Sequence, residues 1–189
     1  MSSAALDRFI AQAIDCSRAK PDPADCVLAI APLMLDLIDN AGTFLQPQHY
    51  RADPDHYARN LIYEAADDGL SLYALVWSPG QWTPVHDHGS WGVVGIVEGV
   101  LEERSHVRMS HDRGADEQIE LVRGGVILLS PGAVTSFVPN PDHIHVTGVP
   151  ANRSRAVSLH LYGRNMSSFN IYNVDAGTRR RVNVAHNDS

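Results

Sequence analysis

The chain has 189 residues, enough for one domain with a substantial core, and its 44% apolar and 20% charged content is ordinary for a globular protein. A net charge of −7 and a pI near 5.7 leave no basic excess for phosphate backbones, so a nucleic-acid partner is not expected. Cys16 and Cys26 make no disulfide framework or zinc motif, the start MSSAALDRF shows no leader pattern, and the longest apolar run, 27–38, is broken by Pro32 and Asp36; a cytoplasmic protein with no membrane partner is expected.

Leu6, Phe9, Ile10, Ala13 and Ile14 recur at helical spacing behind the possible caps Ser2 and Ser3, and Pro21 and Pro23 should end that helix. A second helix begins near Pro23 with Cys26, Ile30, Leu33, Met34 and Leu37 on one face; Pro32 should kink or split it, and Gly42 should stop it. From about residue 53 the period changes to two. Strands are expected at 57–65 and 70–77, joined by the turn Asp67-Asp68-Gly69, then around His86, at 91–98 and at 101–107. Residues 109–117 read as a loop. Segments 118–122 and 126–130 flank a turn at Gly124-Gly125, and 134–137, 144–147, 156–162 and 170–174 complete the set. About ten short strands punctuated by Gly, Pro and Asp predict an all-β barrel or sandwich. The expected layout is a single domain: a helical cap over about 1–50, a barrel over about 53–175, and a polar tail over 176–189. Arg179-Arg180-Arg181 in that tail reads as a solvated or ion-paired cluster.

Chemistry concentrates in three places. In the first, His86 and His88 flank Asp87; two residues apart on a strand, they present two imidazoles to one side, with Asp87 on the other. Imidazole suits Fe, Zn, Cu and Ni. In the second, 142–146 carries His143 and His145 on one face, and either supplies a third imidazole. In the third, Ser158, His160 and Tyr162 alternate with Val157, Leu159 and Leu161. Burying the polar set without partners costs roughly 1–3 kcal/mol per unsatisfied group, so it either forms a network at a site or faces outward. Arg59, at the start of the first barrel strand, is a surface charge or, if inward, a fork for a carboxylate. His49, His56, His106, His111 and His186 lack partners at metal spacing and read as structural or solvated.

Gly80, Pro84, His86, His88 and Gly99 resemble the first cupin motif in layout, and Gly125 with Pro131 fits the turn that opens the second. The glutamate usual four or five residues after the second histidine is absent, since Gly92 and Val93 stand there. Together, Tyr57-x-Arg59-Asn60-Leu61, Pro84-Val85-His86-Asp87-His88 with Trp91-Gly92, and Ser158-Leu159-His160-Leu161-Tyr162 resemble the cysteine dioxygenase family, the thiol dioxygenase branch of the cupins. The resemblance covers about residues 20–170. It implies a mainly β cupin fold, the double-stranded β-helix or jelly-roll barrel, with an N-terminal α-helical cap. It also implies one Fe(II) per chain held by three histidines without a carboxylate, which accounts for the missing glutamate. The family's third histidine lies thirteen residues before the serine of S-L-H-L-Y; that position is His145, with His143 the alternative.

By the same resemblance, Ser158, His160 and Tyr162 form a catalytic relay, Arg59 pairs with the substrate carboxylate and Tyr57 assists. The cysteine that some relatives link to the tyrosine is replaced at about Gly92. The implied activity adds both atoms of O2 to the sulfur of a small thiol acid. The first choice is L-cysteine, giving cysteine sulfinic acid, because relatives acting on 3-mercaptopropionate often carry glutamine where Arg59 stands; mercaptosuccinate is a further alternative. Two other classes stay open: a cupin isomerase or hydrolase using Zn, Mn or Ni, and a non-catalytic small-molecule-binding cupin. Partners are then a small thiol acid and O2, and the chain is a monomer or small homo-oligomer. Arg164 has no role assigned beyond a surface charge.

Overall fold

A computed structural model describes residues 3–66, 69–139 and 142–187. Two helices precede ten strands: α1 (Ala4–Ala19), α2 (Pro23–Asp39), β1 (Ala58–Glu64), β2 (Ser71–Trp77), β3 (Gly92–Glu98), β4 (Leu101–Arg108), β5 (Leu121–Leu129), β6 (Val134–Phe137), β7 (Ile144–Gly148), β8 (Ala156–Tyr162), β9 (Ser168–Asn173) and β10 (Thr178–Asn183). Short 3-10 turns at Ala41–Thr43 and Pro47–Tyr50 join the helices to the barrel.

Two antiparallel layers face each other. One is the five-stranded sheet β1-β2-β8-β3-β6. The other runs β5-β4-β7, then the extended segment 80–87, then β9-β10. That segment is not a regular strand, contrary to expectation. His86 exchanges backbone hydrogen bonds with His145 on one side (3.0 and 2.9 Å), and on the other Asp87 N–H donates to Asn170 (3.1 Å) and Val85 accepts from Tyr172 (2.8 Å). Pro84 has no N–H to give, which interrupts the ladder.

The cap packs on the outer face of the five-stranded sheet. Ile30, Met34, Leu37 and Ile38 of α2 meet Leu72, Ala74, Val93, Leu159 and Leu161 in one buried cluster. α2 runs unsplit through Pro32. An interior proline costs about 3 kcal/mol, while each buried aliphatic side chain on either side returns about 1.5–3 kcal/mol, so packing overrides the break. The helix ends at Asn40, whose Nδ2 donates to the Asp36 carbonyl (2.8 Å), rather than at Gly42. Ser3 caps α1 as expected (Ala5 N–H to Ser3 Oγ, 3.3 Å); Ser2, like Asp67 and Asp68 of the expected hairpin turn, lies outside the described residues.

Two further expectations fail. Gly124-Gly125 makes no turn: β5 is continuous and absorbs the pair as a bulge opposite Ser105 of β4. The polar tail contains a strand, β10, paired along β9, in which Arg179 bridges Asp116 (2.7 Å) and Arg181 donates to Ser168 Oγ (2.6 Å). Period-two polarity there is masked by three consecutive arginines. Beyond β10 the chain crosses to β1, where Asn187 N–H donates to Arg59 O (2.8 Å) and Asn187 O accepts from Leu61 N–H (3.0 Å). No helix among the described residues is long and apolar enough to cross a membrane.

Candidate metal centre and substrate cavity

The space between the layers is a cavity lined from both sides. The second layer contributes His86, His88 and His145, which are 5%, 5% and 4% exposed and offer three ring nitrogens within 4.8 Å of one another. His86 Nδ1 donates to the Pro84 carbonyl (3.0 Å), leaving Nε2 as a free lone pair. Asp87 points away from the cavity, as the alternation requires. Its carboxylate accepts from Tyr172 OH (2.6 Å) and Asn170 Nδ2 (3.0 Å), which ties the irregular segment to β9. From behind, Arg164 donates to the His88 carbonyl (2.9 Å) and the Ser168 carbonyl (2.6 Å), so this arginine braces the site's backbone instead of decorating the surface.

His88 Nδ1 and His145 Nε2 are buried without a hydrogen-bond partner, and His145 Nδ1 has only a poorly aligned Glu103 carboxylate at 3.2 Å. Buried polar atoms left in this way need an explanation, and a bound ion is one. Burial, then the neighbouring imidazoles, holds the basicity of His86 and His88 well below the ordinary histidine range, so both rings are neutral, as metal ligands must be. The donor set fits a first-row divalent metal. His143 stands outside this group. It is half-buried, stacked on Phe137 (4.7 Å, 4°), with Nε2 3.4 Å from Glu103.

The five-stranded sheet contributes the other wall. All seven residues of β8 are buried, and its two faces differ: Leu159 and Leu161 meet the cap while His160 and Tyr162 line the cavity, with Ser158 behind His160. Trp77 Nε1 donates to Ser158 Oγ (2.9 Å), Ser158 Oγ lies 2.8 Å from His160 Nε2, and His160 Nδ1 lies 3.2 Å from Tyr162 OH. The indole can only donate, so Ser158 Oγ accepts from Trp77; the direction of the next two bonds follows the His160 tautomer, and with the proton on Nδ1 the ring donates to the Tyr162 oxygen and frees the Tyr162 O–H for the cavity. Burial, then His145 and Arg59, brings His160 down to about 3, keeping it neutral. Burial raises the Tyr162 phenol, which stays protonated.

Arg59 and Tyr57 on and beside β1 also line the cavity. The Arg59 guanidinium lies over the Tyr73 ring (4.7 Å) and donates to the Met166 carbonyl (2.8 Å) and, at a long 3.4 Å, to the Ala185 carbonyl. Two of its five N–H groups are so engaged, which leaves donors for a carboxylate. Tyr57 stacks on Trp77 (4.6 Å). Gly92 opposes Tyr162 in the β3–β8 register, and a Cβ there would strike the Phe137 ring, which stacks on His88 at 4.3 Å. The two cysteines are in the helices. Sequence reasoning missed Trp77, Glu103 and Phe137. The signal for Glu103 was a lone carboxylate in phase with the inward Leu101; Trp77 was in phase with Leu75 but looked like core.

Fold and site thus define a cupin barrel with a buried three-histidine centre. A model of the family described as cysteine dioxygenase type I matches residues 33–175, and the chain belongs to that family of cupin thiol dioxygenases. Among solved structures, it is similar to an uncharacterized protein with a double-stranded β-helix domain from Klebsiella pneumoniae (14% identity over 65% of this chain and 91% of that chain, TM-score 0.46). Others are a cupin-like protein from Thermotoga maritima (14%, 74% and 88%, 0.42) and a protein from Thermus thermophilus (18%, 60% and 89%, 0.43).

Proposed function

We propose that the protein is an Fe(II)-dependent cysteine dioxygenase in which His86, His88 and His145 hold one iron, Arg59 and Tyr57 bind the substrate, and Tyr162, His160 and Ser158 form the catalytic relay. The balanced reaction is RSH + O2 → RSO2H, with both oxygen atoms ending on sulfur. When bound, the iron supplies open coordination positions and the redox chemistry that brings thiolate and O2 together, and it removes the thiol proton. The observation that supports the reading is a guanidinium with spare donors and a buried phenol lining the same cavity as three neutral imidazoles.

Arg59 takes the carboxylate in a two-pronged grip and fixes where the sulfur lies. Its hold on the Met166 carbonyl and the Tyr73 ring below it restrict the swing of the guanidinium. Tyr162 donates its O–H toward the reacting sulfur or oxygen atoms, and the chain running back through His160 and Ser158 to Trp77 orients that hydroxyl without charging it. Leu75, Met166 and Phe169 keep the cavity apolar around these groups, which strengthens each polar contact. Arg59 favours L-cysteine over 3-mercaptopropionate, whose enzymes often carry glutamine at that place.

The test is metal analysis of purified protein followed by oxygen uptake after iron loading, with L-cysteine, 3-mercaptopropionate and mercaptosuccinate. The expected result is one sulfinate formed per O2, fastest with L-cysteine, and no turnover in His86→Ala or His88→Ala. Absence of sulfinate from all three thiols overturns the reading; preference for another thiol acid overturns the substrate alone.

A further inference from the structure

Glu103 of β4 has a side chain pointing into the barrel and is 9% exposed. Such a carboxylate needs a reason to stay charged in an apolar wall. Its two oxygens are divided between two histidines: Oε2 is 3.2 Å from His145 Nδ1 and Oε1 is 3.4 Å from His143 Nε2. It lines the same cavity, yet its oxygens come within ligand distance of His143 and His145 and not of His86 and His88, so it reaches the three-imidazole centre through His145.

An imidazole can ligate through one nitrogen only when its proton sits on the other, and an acceptor behind the ring decides which. His86 has such an acceptor in the Pro84 carbonyl. We propose that Glu103 does the same for His145 as a positioning residue: its carboxylate keeps the proton on Nδ1 and aims Nε2 into the centre, while His143 clamps the carboxylate from the outside. The assignment rests on His86, His88 and His145 being the metal ligands. It gives His143 a task that its spacing in the sequence left open. It also returns a carboxylate to the neighbourhood of a centre whose motif lacks one; three neutral imidazoles leave a divalent ion at +2, and Glu103 lowers the buried total to +1.

The test is a Co(II) titration of metal-free full-length protein against a competing chelator, with visible spectra recorded, for wild type and for Glu103→Gln, Glu103→Asp and His86→Ala. Glu103→Gln keeps the volume but removes the anion; it should weaken Co(II) binding about 10–100-fold and shift the ligand-field bands. Glu103→Asp, which keeps the charge, should recover part of both, and stoichiometry should stay at one ion per chain. If Glu103→Gln fails to fold, the Asp variant alone carries the test, since a shortened carboxylate with unshifted bands and unchanged affinity overturns the proposal. Wild-type affinity and bands in Glu103→Gln overturn it too, as do two ions per chain falling to one, which would make Glu103, His143 and His145 a site of their own. Undiminished binding in His86→Ala sinks the three-imidazole reading itself, an outcome distinct from either.

Discussion

The two walls of the cavity are built on different plans. The five-stranded sheet is buried on both faces, regular, and held by the cap; it carries the relay and Arg59. The opposite layer is held at its centre by an irregular segment with isolated bridges, and its outer strand β5 leaves Val126, Ile127 and Leu128 exposed; it carries the imidazoles. Under the proposed function, the side that would orient a substrate and a proton is held by packing. The side that would grip an ion is braced by polar ties, with Asp87 to Tyr172 and Arg164 to the His88 carbonyl, and an ion would complete it.

The contrast is most exposed to failure at Arg59. Arg59→Gln should lower kcat/KM for L-cysteine by roughly 2–5 kcal/mol, the range for truncating one partner of a buried charge pair. It should spare metal binding, and with cysteamine, which has no carboxylate to lose, the rate should be nearly the same for wild type and variant. An equal loss with both thiols would mean that Arg59 supports the wall and does not read the substrate.

Acid stability separates the walls next. His160 is held down to about 3 in the native protein, mainly by burial, while an unfolded histidine titrates near 6.5. Below about 6.5 the unfolded chain binds a proton that the native chain refuses until about 3, so stability falls as pH drops through that window, with a slope approaching 1.4 kcal/mol per pH unit from this group. Urea melts of apoprotein between pH 7 and pH 4 should show the loss, and His160→Asn should remove about one proton's worth of slope. An unchanged slope would place the acid sensitivity on the imidazoles of the other wall. The smallest effect is expected for Trp77→Phe, which deletes only the first donor of the relay: about 1 kcal/mol in turnover, with the pH profile broadened and metal affinity intact.

What the sequence disclosed follows the same division. The imidazole wall was legible because H-x-H is short-range, and the family resemblance selected His145 over His143; His145 is the one whose ring nitrogen lies within 4.8 Å of those of His86 and His88. The strands at 134–137 and 156–162 were located to the residue. The orientation of β8 was not legible, because a strand buried on both faces has no polar outside to reveal which set turns inward; only the cap settles it. Pro32 misled because local cost is visible in a sequence and distant packing is not. Glu103 was hidden for a related reason. Its partner lies on β7, and a contact between strands more than forty residues apart leaves no periodic trace.

Gly92 and Phe137 have a consequence for how this chain can change. A thiol at position 92 would face Tyr162 across the ladder, but the Phe137 ring already fills that volume and also supports His88. Any side chain at position 92 therefore has to displace that ring, and moving the ring withdraws support from His88. The room beside the phenol and the footing of an imidazole are in this way one and the same volume.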